Sequence, residues 1–251
     1  LMKYLVANWK MNSVDLDLWE KNFLKVIGSE KDFPKSHEVK LIICLNLYDY
    51  QLFSKKIQSS KNQIFQNIIL YAQDVSRYKE GAHTGQISSH YLKNIGLEGS
   101  IVGHSELREN GDTENIVFQK GLKLKEQGLS NIFCIGEDLV TLESNEKKSF
   151  LLNQLKAFCK KDVKPDLLAY EPIWAIGTGI EADSENIKSS VSIINDFLEQ
   201  KKINTSILYG GSVSVENILE IIAIPGIEGC LVGNSSLDGE QFAIIASKIT
   251  G

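Results

Sequence analysis

Short apolar runs recur along the whole chain, separated each time by about the length of one helix and two loops. They are rich in β-branched and aromatic residues, which favours strands. Because the runs are almost continuously apolar, the pattern predicts parallel strands that are buried on both faces. The eight predicted strands are Tyr4–Ala7, Lys40–Leu45, Ile68–Ala72, Ser100–Val102, Asn131–Ile135, Leu167–Tyr170, Ser206–Tyr209 and Cys230–Val232.

Apolar residues at helical spacing fill the gaps and predict the core-facing sides of helices. Three such stripes are Leu16, Trp19, Phe23, Val26 and Ile27; Phe150, Leu151, Leu155 and Phe158; and Ile187, Val191, Ile194, Phe197 and Leu198. Asp183 or Ser184 is placed to cap the start of the third helix. The alternation runs without a linker, which predicts an α/β protein with one (β/α)8 barrel domain of eight parallel strands over residues 1–251. A doubly wound open sheet is the structural alternative.

Composition and charge exclude several classes of protein. The formal net charge of −5 argues against broad nucleic-acid binding, which needs a basic surface. No stretch approaches the roughly 20 apolar residues of a membrane span, and Asn8 and Lys10 interrupt the apolar start, which argues against a signal peptide. Leu1, before Met2, is taken as a cloning remnant. Widely spaced cysteines without a Cys-x-x-Cys pair indicate reduced thiols and a cytoplasmic protein; they are Cys44, Cys134, Cys159 and Cys230.

Polar residues and glycines stand at the ends of five of the predicted strands. They are Asn8 and Lys10 after the first strand, His104, Ser105 and Glu106 after the fourth, Glu171 after the sixth, Gly210, Gly211 and Ser212 after the seventh, and Gly233 and Asn234 after the eighth. The carboxyl ends of all barrel strands lie at one face, where such folds place active sites. The agreement of five strand ends therefore predicts a site at this face. Asn8 and Lys10 are two residues apart, so in extended chain both side chains would point into the barrel mouth.

One carboxylate stands out because it ends a buried strand and is followed directly by a proline. Glu171 comes after Leu167–Tyr170 and before a mostly uncharged loop that contains two glycines. Such a loop can close over a ligand, and the glycines can absorb the hinge motion. The pattern predicts a general base beneath a moving lid formed by Pro172, Ile173, Trp174, Ala175, Ile176, Gly177, Thr178 and Gly179.

A histidine and a pair of glycine-rich loops complete the candidate chemistry. His104 precedes Ser105–Arg108, which could open a helical turn, and a helix N-terminus favours a neutral imidazole that donates a hydrogen bond. Gly210-Gly211-Ser212 and Gly233 match the phosphate site that barrels build after strands seven and eight. Gly177-Thr178-Gly179 is not a dinucleotide fingerprint, because it lacks the third glycine. The remaining histidines are interpreted as surface or core residues.

Six segments in this order resemble the triosephosphate isomerase family, and the resemblance runs essentially from end to end. They are Ala7–Asn12, Val102–Glu106, Cys134–Glu137, Ala169–Gly179, Tyr209–Ser212 and Leu231–Gly233. The resemblance implies a TIM barrel that interconverts dihydroxyacetone phosphate and D-glyceraldehyde 3-phosphate in glycolysis and gluconeogenesis, without a cofactor or a metal ion. Another cofactor-independent phosphosugar isomerase or epimerase, or a catalytically silent barrel, is the alternative.

The resemblance also implies residue roles. Glu171 would move a proton through an enediolate, His104 would act on the two oxygens, and Lys10 would offset negative charge. Asn8 would help to place the substrate, whose phosphate would rest on the backbone of Gly177, Ser212, Gly233 and Asn234. The resemblance to the family, and not the spacing of the residues, assigns these roles.

Three residues depart from the family pattern. Asn234 stands where the family usually has a second glycine, Leu107 replaces an arginine, and Gln86 replaces an acid. In the family the last two positions pair across a dimer contact, and losing both together leaves no unpaired charge. We therefore still expect a homodimer through the Ala72–Ser88 loop, with an altered rim.

Overall fold

The computed structural model describes residues 2–29, 38–144, 146–175 and 184–249. Eight parallel strands close into a barrel in chain order, each paired with its neighbours and the last paired with the first. The predicted strands are confirmed to within one residue at each end, except that the eighth begins three residues earlier. The strands are β1 (Lys3–Asn8), β2 (Val39–Leu45), β3 (Ile69–Ala72), β4 (Gly99–Val102), β5 (Ser130–Ile135), β6 (Leu167–Tyr170), β7 (Ser206–Tyr209) and β8 (Ile227–Val232).

Helices surround the barrel in the connections between strands. They are α1 (Leu16–Ser29), α2 (Leu47–Ser59), α3 (Gln63–Gln66), α4 (Ser89–Ile95), α5 (Ser105–Glu109), α6 (Glu114–Gln127), α7 (Leu139–Glu143), α8 (Lys147–Phe158), α9 (Ser184–Lys201), α10 (Ile218–Ile222) and α11 (Gly239–Lys248). The three predicted stripes lie in α1, α8 and α9 and are buried, with Phe150 half-buried. Ser184 is the first residue of α9, and Asp183 lies outside the described residues. Within those residues, no helix combines the length and apolarity that crossing a membrane requires.

The apolar core has two layers because strand side chains alternate between the two faces of the sheet. Val6, Ile42, Ile101, Ile132 and Leu208 belong to the layer that fills the barrel. The alternate strand residues pack outward against the helices in a larger layer. Strands that are apolar on both faces were predicted from their uninterrupted apolar runs, and this arrangement accounts for them.

Two tryptophans join the first strand to the segment after the last strand. The indole Nε1 atoms of Trp9 and Trp19 donate to the same carbonyl oxygen, that of Ser236, at 3.2 and 2.9 Å. Gly239 begins α11 where a Cβ would lie 2.1 Å from the carbonyl oxygen of Trp19. The start of α11 therefore sits directly on the backbone of α1, and both helices hold the seam between β8 and β1 in place.

A buried cation links α6 to two loops near the barrel mouth. The ammonium group of Lys120 lies 2.7 Å from Asp74 Oδ1 and 2.6 Å from Asp112 Oδ2, and the side chain is only 8% exposed. Burial raises the pKa of Asp74, and the nearby Lys120 charge opposes that rise only in part. Two carboxylates face one ammonium group in this cluster, so the charge of one carboxylate is not balanced. Ionisation of Asp74 therefore lowers the stability of the folded protein.

The raised pKa of Asp74 predicts how stability changes with pH. Below the ordinary value of 3.8, the carboxyl is protonated in both the folded and the unfolded chain. As the pH rises above that value and through the folded-state pKa, the folded protein ionises a carboxyl whose charged form partial burial disfavours, and stability is lost. Asp74→Asn should therefore raise the Tm by a few degrees at pH 7 and by much less near pH 4, measured by calorimetry at one protein concentration. The exposed Asp196→Asn is the control, and an equal gain at both pH values would contradict the argument.

Candidate active site

The strand-end residues singled out in the sequence, except Ser105 and Glu106, meet around one cavity of about 360 Å³ at the carboxyl ends of the strands. Its lining includes Asn8, Lys10, His104, Glu171, Gly210, Gly211, Ser212, Gly233 and Asn234. The predicted gathering of these residues at one barrel face is thus confirmed. Pro172 is buried, and Ile173–Ala175 form a 3₁₀ turn after β6. The remaining lid residues, Ile176, Gly177, Thr178 and Gly179, lie outside the described part of the chain.

The carboxylate of Glu171 is almost completely removed from water, with the residue 2% exposed. Its Oε2 accepts the backbone N–H of Ser105 at 3.2 Å. Its Oε1 lies 3.2 Å from Nε2 of His104, although not in hydrogen-bonding geometry. One oxygen is therefore fixed by the backbone, and the other has unused capacity to accept a proton.

Two glycines hold the backbone of Glu171 in place. A Cβ at Gly136, after β5, would lie 1.6 Å from the carbonyl oxygen of Glu171. A Cβ at Gly210, after β7, would lie 2.8 Å from Cγ of the same residue. A side chain at either glycine would overlap Glu171, so Glu171 packs directly against the backbone at the ends of the two neighbouring strands. Sequence reasoning quoted Gly136 only as part of a motif and gave it no role.

His104 presents one ring nitrogen to the cavity because the other is already engaged. The residue caps α5, and its Nδ1 accepts the N–H of Glu106 at 3.2 Å. A nitrogen that accepts a backbone N–H carries no proton, which assigns the remaining proton to Nε2, the atom that faces Glu171. The predicted helical turn after His104 is confirmed. Nε2 is therefore the ring atom that can donate a hydrogen bond into the cavity.

Lys10 reaches the cavity by a different path from the predicted one. Asn8 and Lys10 both line the cavity, as predicted, but the expected extended chain between them was wrong, because Lys10 has a φ of +51° after β1 has ended. Oδ1 of Asn8 accepts the Lys10 N–H at 3.1 Å, and Nε2 of Gln73 donates to the Lys10 carbonyl at 2.8 Å. Side chains on both sides of the peptide thus hold a conformation that non-glycine residues rarely adopt. The Lys10 ammonium contacts Glu106 Oε1 at 2.8 Å.

The loops after β7 and β8 form the other wall of the cavity. Ser235 Oγ donates to the carbonyl of Val213 at 2.9 Å, which joins the two loops. Gly233 has φ −88° and ψ −107°, outside the regions that residues with side chains favour. Asn234 begins a 3₁₀ turn, and the first N–H groups of such a turn have no partner within it. These amides make the wall suitable for an anion.

Behind Glu171, a second buried carboxylate binds the start of the predicted lid. Glu137 is fully buried, and its Oε1 accepts the hydroxyl of Tyr170 at 2.8 Å and Nε1 of Trp174 at 3.4 Å. Burial raises the pKa of Glu137, while the hydrogen bond from Tyr170 opposes the rise. Sequence reasoning gave Glu137 no role, although an acid directly after the apolar strand β5 was the available signal.

Arg108, Gln73 and Gln154 also lay outside the predicted site, and each bridges backbone groups at the strand ends. Arg108 donates to the carbonyls of Gly103 and Cys134, and Gln73 to those of Lys10 and Cys44. The Gln154 amide exchanges bonds with the N–H and carbonyl of Gly136. No local pattern marks these side chains, because their partners come from other strands.

Gln86 and Leu107, the two unusual positions, line one cleft of about 520 Å³ beside the cavity. Oε1 of Gln86 accepts the hydroxyl of Ser76 at 2.6 Å, so this side chain is satisfied within its own loop. Leu107 follows Glu106 on α5 and brings no charge to the same cleft. The cleft therefore contains neither member of the expected charged pair.

Comparison with known proteins agrees with this geometry. A sequence model described as triosephosphate isomerase matches residues 3–249. A triosephosphate isomerase from Alkaliphilus oremlandii is 36% identical over 248 residues, covering 95% of this chain and 96% of that protein. A triosephosphate isomerase from Gloeothece citriformis is 38% identical over 251 residues, covering 98% and 99%. The crystal structure of triosephosphate isomerase from Bartonella henselae has a TM-score of 0.83 and 25% identity, with full coverage of both chains. The chain belongs to the triosephosphate isomerase family.

Proposed function

We propose that the protein interconverts dihydroxyacetone phosphate and D-glyceraldehyde 3-phosphate by moving a proton between adjacent carbons. The observation that carries this proposal is the 3.2 Å approach of the Glu171 carboxylate to Nε2 of His104 beside the cavity. When a base and a neutral donor lie this close at the edge of one cavity, they can contact a carbon-bound proton and the neighbouring carbonyl oxygen of the same substrate at the same time. This pairing is what an enolisation requires.

Glu171 would act as the base. Its Oε1 removes a proton from C1 or C2 and returns it to the other carbon, so the carboxylate is regenerated in each turnover. Burial supports this role, because a carboxylate without a water shell has no hydration to lose when it meets the substrate. The bond from the Ser105 N–H leaves this oxygen free while orienting the group.

His104 would donate from Nε2 to the oxygen that becomes negative when the enediolate forms. The Cε atom of Lys10 lies 3.7 Å from the position that a Cβ on Gly233 would take, in the loop after β8. Its charge would therefore act on both the phosphate and the enediolate. The amides around Ser212, Gly233 and Asn234 would hold the phosphate, with Asn8 placing the substrate between the two ends. Gly177 is proposed as a further phosphate contact on the family resemblance alone.

We also propose that the protein works as a homodimer, joined through the Ala72–Ser88 loop. Two large apolar side chains next to this region are strongly exposed, Met11 at 99% and Tyr48 at 71%. Covering them would remove apolar surface from water, which favours association. Charged residues also line the cleft that contains Gln86 and Leu107, but Lys120 is already paired there with Asp74 and Asp112, so a second copy could cover this cluster without leaving its ammonium group unpaired. The expected cytoplasmic location rests on the cysteine pattern of the sequence and stays a prediction.

The proposed reaction is tested by replacing the base. Glu171→Gln keeps the size of the side chain and an oxygen for the Ser105 N–H, but it cannot take a proton. In an assay that couples D-glyceraldehyde 3-phosphate isomerisation to a reporter enzyme, kcat should fall by about 10²–10⁴-fold. The exposed Glu199→Gln serves as the matched control. Near-normal turnover of the Glu171→Gln protein would refute the assignment, and an inactive wild-type protein would refute the function.

The unusual residue at the phosphate wall should have little effect on turnover. The Asn234 side chain is exposed, and the proposed contact is its backbone N–H, which any residue supplies. Asn234→Gly should therefore leave kcat unchanged and change KM for the triose phosphate by less than about threefold, under ~0.7 kcal/mol. A manyfold lower KM in this variant would show that the asparagine side chain hinders the substrate.

The dimer predicts a mass of about twice 28.0 kDa in solution. Light scattering after gel filtration measures this directly, and a monomer at micromolar concentration would contradict the proposal. Tyr48→Lys places a charge on the proposed contact and should weaken association. Lys55→Gln, on the same helix, tests whether any surface change there has the same result.

A further inference from the structure

The hydrogen-bond ladder between β4 and β5 stops at Val102, two residues before His104. The two strands pair from Gly99 and Ser130 up to Val102 and Phe133. The next residue, Gly103, has a φ of +73° and turns the chain out of the sheet. Because the carbonyl of Ile135 accepts the N–H of Glu171, directly after β6, the preceding carbonyl, that of Cys134, faces β4, where no strand partner remains.

Arg108 provides the missing donors at this point. Its Nη2 donates to the carbonyl of Cys134 at 3.2 Å, and its Nε donates to the carbonyl of Gly103 at 2.6 Å. The third nitrogen, Nη1, is paired with Glu114. The Arg108 side chain is 13% exposed, and its Nη2 would lie 2.9 Å from a Cβ on Gly103. The side chain therefore ties the end of β4 to the end of β5.

The same residue holds both peptide groups that flank His104. Its side chain binds the carbonyl of Gly103, on the N-terminal side, and its backbone N–H donates to the carbonyl of His104 at 3.0 Å. With both flanking peptides fixed, the direction of the His104 Cα–Cβ bond is fixed as well, and the bond from Glu106 N–H to Nδ1 then orients the ring. We propose that Arg108 is a positioning residue that aims Nε2 of His104 at the reacting oxygen; this rests on the function proposed above.

The choice of side chain supports the inference. Only two of the 27 basic residues of this chain are arginines, Arg77 and Arg108. A lysine has its three donors on a single nitrogen and can bond several acceptors only where they converge on that atom, whereas the planar guanidinium has five donors spread over three nitrogens in a fixed arrangement. The geometry at Arg108 uses three different nitrogens, which is the property that lysine lacks.

Arg108→Lys is the decisive variant because it keeps the charge and the stem. Misplacement of a catalytic group by about 1 Å can cost on the order of 10²-fold in rate, so kcat should fall by about 10–100-fold. KM should stay within about threefold, because the proposed phosphate wall is on β7 and β8, away from this clamp. Glu114→Gln keeps an acceptor for Nη1 and should retain kcat. Arg77→Lys tests whether loss of any arginine has the same effect.

A second measurement distinguishes a positioning role of Arg108 from a role in stability alone, and from failure of the proposed function. In ¹⁵N NMR of labelled histidine, wild-type His104 should show the neutral Nε2–H tautomer, and Arg108→Lys should show a mixture of tautomers. This spectrum can be recorded whether or not the protein has activity, so failure of the proposed function is recognised separately. An Arg108→Lys protein with wild-type kcat and an unchanged His104 spectrum would overturn the inference. So would a loss of kcat that only follows the unfolded fraction measured by circular dichroism, or an equal loss in Glu114→Gln.

Discussion

The backbone groups at the strand ends are the constraint on which the rest of this barrel depends. Within the closed sheet, each strand is hydrogen-bonded to a neighbouring strand on either side. At the carboxyl ends this ladder of hydrogen bonds stops, and buried carbonyls need other donors. Arg108, Gln73 and Gln154 bridge such groups between adjacent segments. Because the cavity opens at these same ends, the side chains that satisfy the backbone also fix the residues around the cavity. The hydrogen bonds that stabilise the strand ends are therefore also the ones that position the residues around the cavity.

Burial of Glu171 follows from that arrangement and has electrostatic consequences for its neighbours. Gly136 and Gly210 let the backbone come close enough to take the carboxylate out of water. Charges interact strongly in such a region because water no longer screens them. Burial raises the pKa of Cys134, and the nearby Glu171 charge raises it further, so the thiol stays neutral beneath the carboxylate. The thiol therefore brings no charge to the region beneath Glu171.

The sequence was sufficient for the strands because strands buried on both faces are continuously apolar, a signal that survives without any tertiary information. Strand order in the barrel then brought the predicted cavity residues together. Residues whose role depends on distance across strands were not visible in this way. Arg108 resembles any surface arginine in sequence, and only the register of β4 and β5 shows that it replaces a strand bond. The positive φ of Lys10 was equally hidden, since Asn8 and Gln73 enforce it from two different segments.

The unusual residues of this chain lie where the structure has room for them. Asn234 is exposed at the edge of the cavity, and Gln86 satisfies its amide oxygen with Ser76 inside its own loop. The glycines next to the buried carboxylate have no such freedom, because any side chain at Gly136 would overlap the backbone of Glu171. A substitution at the rim changes one surface, whereas a substitution between strand ends moves a peptide that several hydrogen bonds share. The barrel therefore accommodates unusual residues at positions where a substitution does not move the backbone of Glu171 or His104.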